Sequence, residues 1–336
     1  MANNVFGIDL GTSNIKIYNK NEDNIMIEKN MIAIENKKNL FAYGNSAFEM
    51  YEKAPVNIHI SYPLCNGVIA DIKNMETIIR YFIGDLMKGN VRPADYFIAV
   101  PTDVTEVEKR AFYDLIRDAN VKAKKIMVVE KAVADGLGMD IDVKNSQGVL
   151  VVNVGYDTTE ISILSLGGIV LSKLIKTGGL KFDAAIRNAV KKEFSLVIGG
   201  KTSENVKIAL QELEAAGKGA VVYGRDIVTG LPVEREIPTA LVDAALEEHF
   251  NSIIDNVKVI LERTPPELAA DIYRHGIYLT GGASKVNHLA EKIAVGTGLK
   301  VNVSEHPMES VVMGIAKIIK DDNYKTLAYS IEGMSK

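Results

Sequence analysis

The chain has 336 residues, of which 47% are hydrophobic and 24% are charged, and this globular composition leaves room for roughly two domains. Its formal net charge of −4 gives no general positive field of the kind that attracts nucleic acid, so no nucleic-acid partner is expected. The single cysteine, Cys65, excludes an intramolecular disulfide and a cysteine-based zinc cluster, and we expect it to be a small buried side chain.

Targeting segments are not expected in this sequence. The first residues, Met1 to Phe6, are too few and too polar for a signal peptide. No apolar run reaches the roughly 18 residues that a transmembrane helix requires. We therefore expect a cytoplasmic protein.

Strand and helix patterns alternate along the first half of the chain. Thr105 and Glu108 fit a capping box, in which a hydroxyl and a carboxylate bind free N–H groups at the start of a helix. The predicted elements, in chain order, are strands Val5–Leu10, Ile15–Tyr18 and Ile25–Ile34, a helix over Met75–Met87, strand Tyr96–Val100, a helix from the capping box to Ala119, strand Lys125–Val129 and the small-residue segment Lys131–Gly138.

The second half of the chain begins with the same pattern. An apolar strand leads into a glycine-bearing turn and two further strands, and amphipathic helices follow. Pro265 and Pro266 end the longest of these helices. The predicted elements are strands Val149–Val154, Glu160–Leu166 and Ile169–Ile175, helices Leu180–Phe194 and Leu241–Leu261, and strand Gly276–Leu279 before the turn Thr280–Ser284.

Two hairpin turns occupy equivalent places in these halves. The first is Gly11–Asn14, directly after the first strand, and the second is Gly155–Thr158, directly after Val149–Val154. An internal repeat of this kind predicts two similar domains that face each other, with a ligand in the crevice between them.

The composition of the turns indicates a polyphosphate ligand. Small side chains leave the backbone N–H groups open to phosphate oxygens, and Asp9, at the end of the first strand, is placed to hold Mg²⁺ through coordinated waters. One such turn alone is a plain tight turn, but two copies and a third glycine-rich turn at Gly281-Gly282 favour the phosphate site. The sequence contains neither a Walker P-loop nor a dinucleotide-binding glycine motif.

Gly7–Asn14 (GIDLGTSN) resembles the first phosphate motif of the actin, Hsp70 and sugar-kinase superfamily. Further segments are similar to those of the MreB family of bacterial actins, and the similarity extends over essentially the whole chain. These segments are Asn66–Asp71, Val107–Ala111, Gly179–Asp183, Thr264–Leu268 and Gly276–Ser284.

The resemblance implies an α/β, actin-like fold with two domains, four subdomains and a nucleotide cleft. The first domain would span residues 1–145, with a smaller subdomain at about 30–72, and the second would span 146–320, with a smaller subdomain at about 180–255. The segment 321–336 would pack back on the first domain. The resemblance also implies ATP or ADP with Mg²⁺ at the centre, and filaments in which subunits stack head to tail, usually as paired antiparallel strands.

The resemblance assigns residues to each part of the nucleotide site. Glu204 and Lys207 would contact ribose and adenine from one face of a helix, although without the resemblance the pair is better explained as a surface ion pair. Asp9 would be the metal residue. The loops that match are Thr12, Ser13 and Asn14 for the first phosphate loop, Gly155, Tyr156 and Asp157 for the second, and Gly281, Gly282 and Ser284 for the adenine side.

The sequence departs from the family at the catalytic position. The second phosphate motif of the family usually reads D-x-G-G-G-T-T-E, whereas here it begins Asn153 and carries Tyr156 and Asp157 in place of glycines. Lys131 replaces the glutamate that orients the attacking water. The catalytic positions are thus Lys131, Asp157 and Thr158.

These changes predict ATP binding with slow hydrolysis. An ammonium group only donates hydrogen bonds, so Lys131 cannot accept one from water. It could instead attract a γ-phosphate oxygen or pair with Asp157. Loss of a water-orienting group costs on the order of 10²–10⁴ in rate. The alternative is that Glu130 or Asp157 replaces the lost carboxylate.

The departures resemble the divergent MreB paralogue of spiroplasmas that has a degenerate active site. This resemblance implies a cytoskeletal filament that sets cell helicity and contributes to swimming, with partners that include copies of the chain and paralogous MreB subunits. The loop Met87–Pro93 offers only Met87 and Val91 as apolar anchors, so peripheral contact with the inner face of the membrane would be weak. A non-polymerising regulator of paralogous filaments and a small-molecule kinase of the same superfamily are the alternatives.

Overall fold

The computed structural model describes residues 4–332. The predicted C-terminal segment therefore lies outside the described residues from position 333 onward. The elements of the first half are β1 Asn4–Leu10, β2 Asn14–Asn19, β3 Asn24–Lys29, β4 Ile32–Glu35, β5 Asn39–Tyr43, α1 Gly44–Glu49, β6 Ile58–Ser61, β7 Leu64–Cys65, β8 Val68–Ile69, α2 Ile72–Leu86, β9 Ala94–Val100, α3 Glu106–Asp118, β10 Ala123–Glu130 and α4 Lys131–Gly138.

The second half repeats the strand hairpin and then adds longer helices. A 3₁₀ helix, Gly282–Lys285, follows the strand that ends at Thr280, and another, Asp322–Leu327, precedes the strand that begins at Ala328. The elements are β11 Val149–Val154, β12 Thr159–Ser165, β13 Gly168–Ile175, α5 Gly179–Phe194, β14 Leu196–Val197, α6 Gly200–Ala215, β15 Ala220–Asp226, β16 Pro232–Ile237, α7 Thr239–Glu262, α8 Pro266–His275, β17 Ile277–Thr280, α9 Leu289–Thr297, β18 Val301–Val303, α10 Ser310–Lys320 and β19 Ala328–Tyr329.

Two large mixed sheets organise the fold. The first has the strand order β19-β10-β9-β1-β2-β3, and the second has the order β13-β12-β11-β17-β18. In each sheet an antiparallel meander of three strands continues into strands that pair in parallel. This arrangement confirms the predicted α/β class and the internal repeat, because both sheets place a hairpin next to a parallel strand.

Smaller elements lie beside each large sheet. Strands β5-β4-β6 form one small sheet that packs with α1, and β14-β15-β16 form another that packs with α5 and α6. At the other end of the chain, β19 pairs with β10 at the edge of the first sheet. The domain and subdomain boundaries read from the sequence stay a prediction.

The predicted strand Ile25–Ile34 is wrong as a single element. It divides into β3 and β4, which belong to different sheets, because Asn30 turns the chain between them. The Asn30 side chain is fully buried, and its amide donates to the Gly11 carbonyl at 3.0 Å. Its backbone N–H donates to Ser13 at 3.0 Å, so this turn supports the first hairpin loop.

Two further differences concern Cys65 and the C-terminal helix. Cys65 is exposed, so the expectation of a buried side chain is wrong. Helix α10 was absent from the predicted elements, although eight of its residues are buried. The three residues of α10 that are not buried, Met313, Lys317 and Lys320, stand four and three positions apart, so the sequence does carry the helical period that would predict this helix.

Helices α4 and α10 join the two large sheets into one body. Helix α10 packs on β1, β2 and β9 of the first sheet, whereas α4 packs on β11 and β12 of the second as well as on β10. The two helices touch through their backbones. A Cβ atom at Gly138 would lie 1.8 Å from the Ser310 carbonyl oxygen, and one at Gly314 would lie 1.8 Å from that of Ala134.

Candidate functional site

The first hairpin loop connects β1 to β2 with a short backbone closure. The N–H of Gly11 donates to the Asn14 carbonyl at 3.0 Å, which holds the four residues in a tight turn. The Ser13 hydroxyl accepts a hydrogen bond from Lys29 at 3.2 Å. The sequence-predicted residues Thr12, Ser13 and Asn14 therefore lie together in one small-residue loop next to a cationic side chain.

Asp9, the predicted metal residue, forms a buried ion pair. Its carboxylate lies 2.8 Å from the Lys16 ammonium, and the two side chains are only 3% and 11% exposed. Asp9 and Lys16 are direct cross-strand partners in the β1–β2 register, so the hairpin itself brings them together. Sequence reasoning did not select Lys16, whose signal is a charged side chain in an otherwise apolar strand.

The second hairpin loop connects β11 to β12 in the same way. The N–H of Gly155 donates to the Thr158 carbonyl at 2.8 Å. Asn153 occupies the place that corresponds to Asp9, and its cross-strand partner is Glu160. The second loop therefore keeps the backbone of the first while its charged positions differ.

Tyr156 and Asp157 reach across to the segment that follows β6. The ring centroid of Tyr156 lies 5.8 Å from that of Tyr62. The Asp157 carboxylate accepts a hydrogen bond from the backbone N–H of Asn66. The side chains that replace the family's glycines thus bind the opposite side of the cleft, and we call these two interactions the cross-cleft contacts.

Lys131 is the first residue of α4, and its ammonium lies 2.7 Å from the Glu160 carboxylate. Pairing of Lys131 with Asp157, one of the two alternatives from the sequence, is therefore wrong. Burial by itself would lower the pKa of Lys131, but the carboxylates of Glu160, Asp9 and Asp135 outweigh it and hold that pKa above its usual range. The ammonium stays charged and offers no acceptor to a water molecule.

Glu130, the alternative source of a catalytic carboxylate, faces other partners. Its Oε1 atom accepts hydrogen bonds from Lys109 at 3.0 Å and from the Tyr329 hydroxyl at 2.7 Å. Tyr329 belongs to β19, so the C-terminal strand helps to hold this carboxylate at the edge of the first sheet.

A buried carboxyl group connects α4 to the second hairpin. Asp135 accepts a hydrogen bond from the Asn153 amide at 2.7 Å and one from the Ser310 hydroxyl at 2.6 Å. Burial raises the pKa of Asp135 to about 7, and Lys131, Asn153 and Ser310 act in the opposite direction. The Asn153 amide is an uncharged hydrogen-bond donor and favours the ionised form of Asp135, whereas an aspartate at position 153 would repel that charge.

The ribose and adenine candidates lie on α6. Lys207 is buried, and its ammonium lies 2.7 Å from Asp183 of α5 and 3.3 Å from the Gly179 carbonyl. The alternative of a surface ion pair is wrong for Lys207, because the side chains of Lys207 and Asp183 are only 6% and 5% exposed. Burial raises the pKa of Asp183 to about 6, and Lys207 acts against this shift. Glu204 is half-buried on the same helix.

The third loop packs directly on the second. Gly281 has φ +88°, and a Cβ atom there would lie 2.3 Å from the Val154 carbonyl oxygen, so only glycine fits. The Ser284 hydroxyl donates to the Gly281 carbonyl at 2.7 Å, which closes the turn that contains Gly282.

Gly179 is the point where these parts meet. A Cβ atom at Gly179 would lie 3.3 Å from the Lys207 ammonium and 3.6 Å from both Ala283 and the Tyr156 ring. The structure thus brings together the second loop, the third loop and α6. The sequence did not predict the carboxylates that bind Lys131, Asn153 and Lys207, because each lies far from its partner along the chain. These carboxylates are Glu160, Asp135 and Asp183, respectively.

Comparisons with known proteins agree with this arrangement. A family model described as MreB/Mbl protein matches residues 3–326. The cell shape-determining protein Mbl of Bacillus subtilis is 36% identical over 312 residues, 92% of this chain and 93% of that protein. MreB of Escherichia coli is 33% identical over 332 residues, 95% of this chain and 94% of that protein.

Solved structures show the same fold. MreB5 of Spiroplasma citri bound to AMPPNP superposes with a TM-score of 0.89 at 30% identity and covers 97% of this chain and 98% of that one. A MamK double helical filament subunit gives a TM-score of 0.77 at 21% identity, covering 95% and 99%. Over residues 4–332, none of the helices combines the length and apolar character needed to cross a bilayer.

Proposed function

The chain belongs to the MreB/Mbl family of actin-like cytoskeletal proteins, and from that premise we propose that it binds ATP or ADP between its halves and polymerises. One observation carries the proposal: two hairpin loops with the same backbone closure, the second of which contacts a third glycine turn. The relative MreB5 of Spiroplasma citri has been solved bound to AMPPNP and to ADP, and this supports the choice of ligand.

Each candidate residue has a place in this proposal. Backbone N–H groups of the two hairpin loops would hold the phosphates. Lys207 and Glu204 on α6 would approach ribose and adenine, with the third loop on the other side. The ammonium groups of Lys16 and Lys131 are each paired with a carboxylate, so neither adds net positive charge near the phosphates.

Magnesium fits the site through a single carboxylate. Asp9 offers the hard oxygen that Mg²⁺ prefers and would hold the hydrated ion, whose role is to neutralise phosphate charge. Asn153 supplies no second carboxylate, and both Glu160 oxygens have partners, Lys131 at 2.7 Å and the Thr102 N–H at 3.4 Å. Asp9 is itself paired with Lys16, but through its Oδ2 atom, so we infer that its other oxygen would hold the hydrated ion.

We infer that hydrolysis is slow. Phosphoryl transfer to water needs a side chain that accepts a hydrogen bond from the water, and Lys131 cannot do so. Of the two carboxylates that could replace the missing group, Asp157 binds Asn66. Glu130 is held by Lys109 and Tyr329 through its Oε1 atom, while its buried Oε2 atom has no hydrogen-bond partner among the described residues. The Lys131–Glu160 ion pair also fixes the ammonium in place.

Membership of the family is the basis on which we propose that the chain polymerises and acts in cell shape. The subunits would form cytoplasmic filaments with themselves and with paralogous MreB proteins, with weak contact to the inner face of the membrane. If the source is a wall-less helical bacterium, such filaments would set helicity and contribute to motility. A regulator that joins only the filaments of paralogues is the second outcome that the experiment separates.

The experiment combines pelleting with phosphate release at saturating ATP and Mg²⁺. We expect pelleting of the native protein and a turnover about 10²–10⁴ lower than that of an MreB protein with glutamate at the position of Lys131. Equal turnover would overturn slow hydrolysis. Pelleting only in the presence of a paralogue would indicate the regulator.

A lysine variant identifies the cause of slow turnover. Lys131→Gln keeps an N–H donor for Glu160 and adds an oxygen that can accept a hydrogen bond from water, so we expect turnover to rise at least about tenfold. Lys125→Gln, at an exposed lysine of β10, is the matched control and should leave turnover unchanged. An unchanged rate in Lys131→Gln would instead implicate the altered second loop.

A further inference from the structure

Three side chains with metal-ligand chemistry converge on the face of the molecule behind the third loop. Glu214 lies near the end of α6, Asp243 is the fifth residue of α7, and His288 directly precedes α9. None of the three takes part in the nucleotide site described above. They come from three separate elements, so the fold brings them together across long stretches of sequence.

The distances suit a shared ion. One ligand atom from each of the three residues lies within 4.8 Å of the others. The His288 Nε2 atom is already 2.8 Å from the Glu214 carboxylate. In a tetrahedral zinc site with bonds of about 2.0–2.2 Å, ligand atoms stand roughly 3.3 Å apart, so small side-chain rotations would complete the geometry.

The surroundings orient the imidazole. The other ring nitrogen of His288, Nδ1, faces the Glu291 carboxylate at 3.6 Å, on the side away from Glu214. A carboxylate behind a ligating histidine is a common outer partner in zinc sites, where it fixes which nitrogen binds the metal. The His288 side chain is 35% exposed and that of Glu214 is 27% exposed, so an ion can reach the group from solvent.

We propose that Glu214, Asp243 and His288 form a binding site for a divalent first-row transition metal, with Zn²⁺ as the best match. The imidazole selects against Mg²⁺ and Ca²⁺, which prefer sites made of oxygen atoms alone. Two carboxylates and one imidazole leave a fourth position for water. The bound ion would tie the end of α6 to the segment that follows the third loop.

The ion would thereby stiffen one wall of the nucleotide cleft from outside. Helix α6 also carries Glu204 and Lys207, and Ser284 lies four residues before His288. The site itself requires neither nucleotide nor polymerisation, so its test stands apart from the function proposed above.

The test is a zinc titration of the full-length, nucleotide-free protein after treatment with a chelator. We expect one Zn²⁺ per chain by calorimetry, a rise in Tm of at least about 3 °C at saturation, and no competition from excess Mg²⁺. Co²⁺ should give the intense visible absorption of a four-coordinate ion.

Two ligand variants and one matched control decide the outcome. His288→Ala and Asp243→Asn should each weaken Zn²⁺ binding at least about tenfold, and Asp243→Asn keeps a side chain of the same size. His59→Ala removes an exposed histidine on β6 and should bind zinc as the native protein does. Native protein without saturable zinc binding, or equal affinity in His288→Ala, would overturn the proposal.

Discussion

The hairpin at Gly11 and the hairpin at Gly155 share a backbone but differ in charge. Each closes with a hydrogen bond from the glycine N–H to the carbonyl three residues later, at 3.0 Å and 2.8 Å. In the first hairpin the cross-strand pair is Asp9 with Lys16, whereas in the second it is Asn153 with Glu160.

The difference lies in where the neutralising charge comes from. In the first hairpin, the buried Asp9 carboxylate is neutralised by Lys16, which belongs to the same hairpin. The second hairpin has a buried glutamate, and the balancing ammonium comes from Lys131 at the start of α4. The residue that breaks the catalytic pattern is therefore also an electrostatic requirement of the second hairpin.

Removal of the Lys131 ammonium, which neutralises Glu160, should have the largest effect on stability. Lys131→Met leaves Glu160 buried without a cation, and we expect the free energy of unfolding to fall by about 3–5 kcal/mol. The double variant with Glu160→Gln removes the orphaned charge and should recover most of the loss. Urea unfolding measures both, with Lys125→Met as the exposed control. A loss below about 1 kcal/mol in Lys131→Met would contradict the dependence.

The cross-cleft contacts give a second way to separate the hairpins. Asp157→Gly removes the acceptor for the Asn66 N–H, and we expect a fluorescent ATP analogue to dissociate about tenfold faster because the cleft opens more readily. Small-angle scattering without nucleotide should show a larger radius of gyration.

Ser13→Gly is the matched change in the first hairpin, at the equivalent position. The Ser13 side chain contacts Lys29, which lies on the neighbouring strand of the same sheet. We expect the Ser13→Gly variant to have the same radius of gyration as the native protein. The comparison fails if both variants expand equally, or if neither does.

The smallest effects are expected when the first glycine of each hairpin turn is replaced by alanine. A Cβ atom at Gly11 would lie 2.7 Å from the Asn14 carbonyl oxygen, and one at Gly155 would lie 3.0 Å from that of Thr158. We expect Gly11→Ala to cost roughly 1–2 kcal/mol and Gly155→Ala less than about 1 kcal/mol in urea unfolding. Gly84→Ala in α2, with open space around it, should be neutral or stabilising. A larger cost at Gly155 would reverse the predicted order.

The local patterns of the sequence predicted a large part of the fold. Both hairpins and the capping box at Thr105 are confirmed, because each depends on residues within a few positions of one another. The division of Ile25–Ile34 was missed, since it depends on Asn30 reaching a carbonyl 19 residues away. Helix α10 was missed although Met313, Lys317 and Lys320 mark its less buried face, so its packing between α4 and the first sheet did not hide the helical period.

The loops of the candidate site could be predicted from the sequence, but the ion pairs within it could not. The internal repeat and its composition predicted the three glycine turns, and the resemblance identified Lys131 as one of the departures from the family. The sequence could not show that Glu160, 29 positions later, holds the Lys131 ammonium, or that Asp183 lies beside Lys207. Such pairs form through the packing of α4 on the second sheet and of α5 on α6.

The backbone contact between α4 and α10 has a mechanical consequence. Carbonyl oxygens that lie where the Cβ atoms of Gly138 and Gly314 would be prevent the two helices from sliding past one another. A side chain at Gly138 or Gly314 would therefore force α4 and α10 apart. Because α4 begins at Lys131, the same displacement would move the ammonium group that lies beside Glu160.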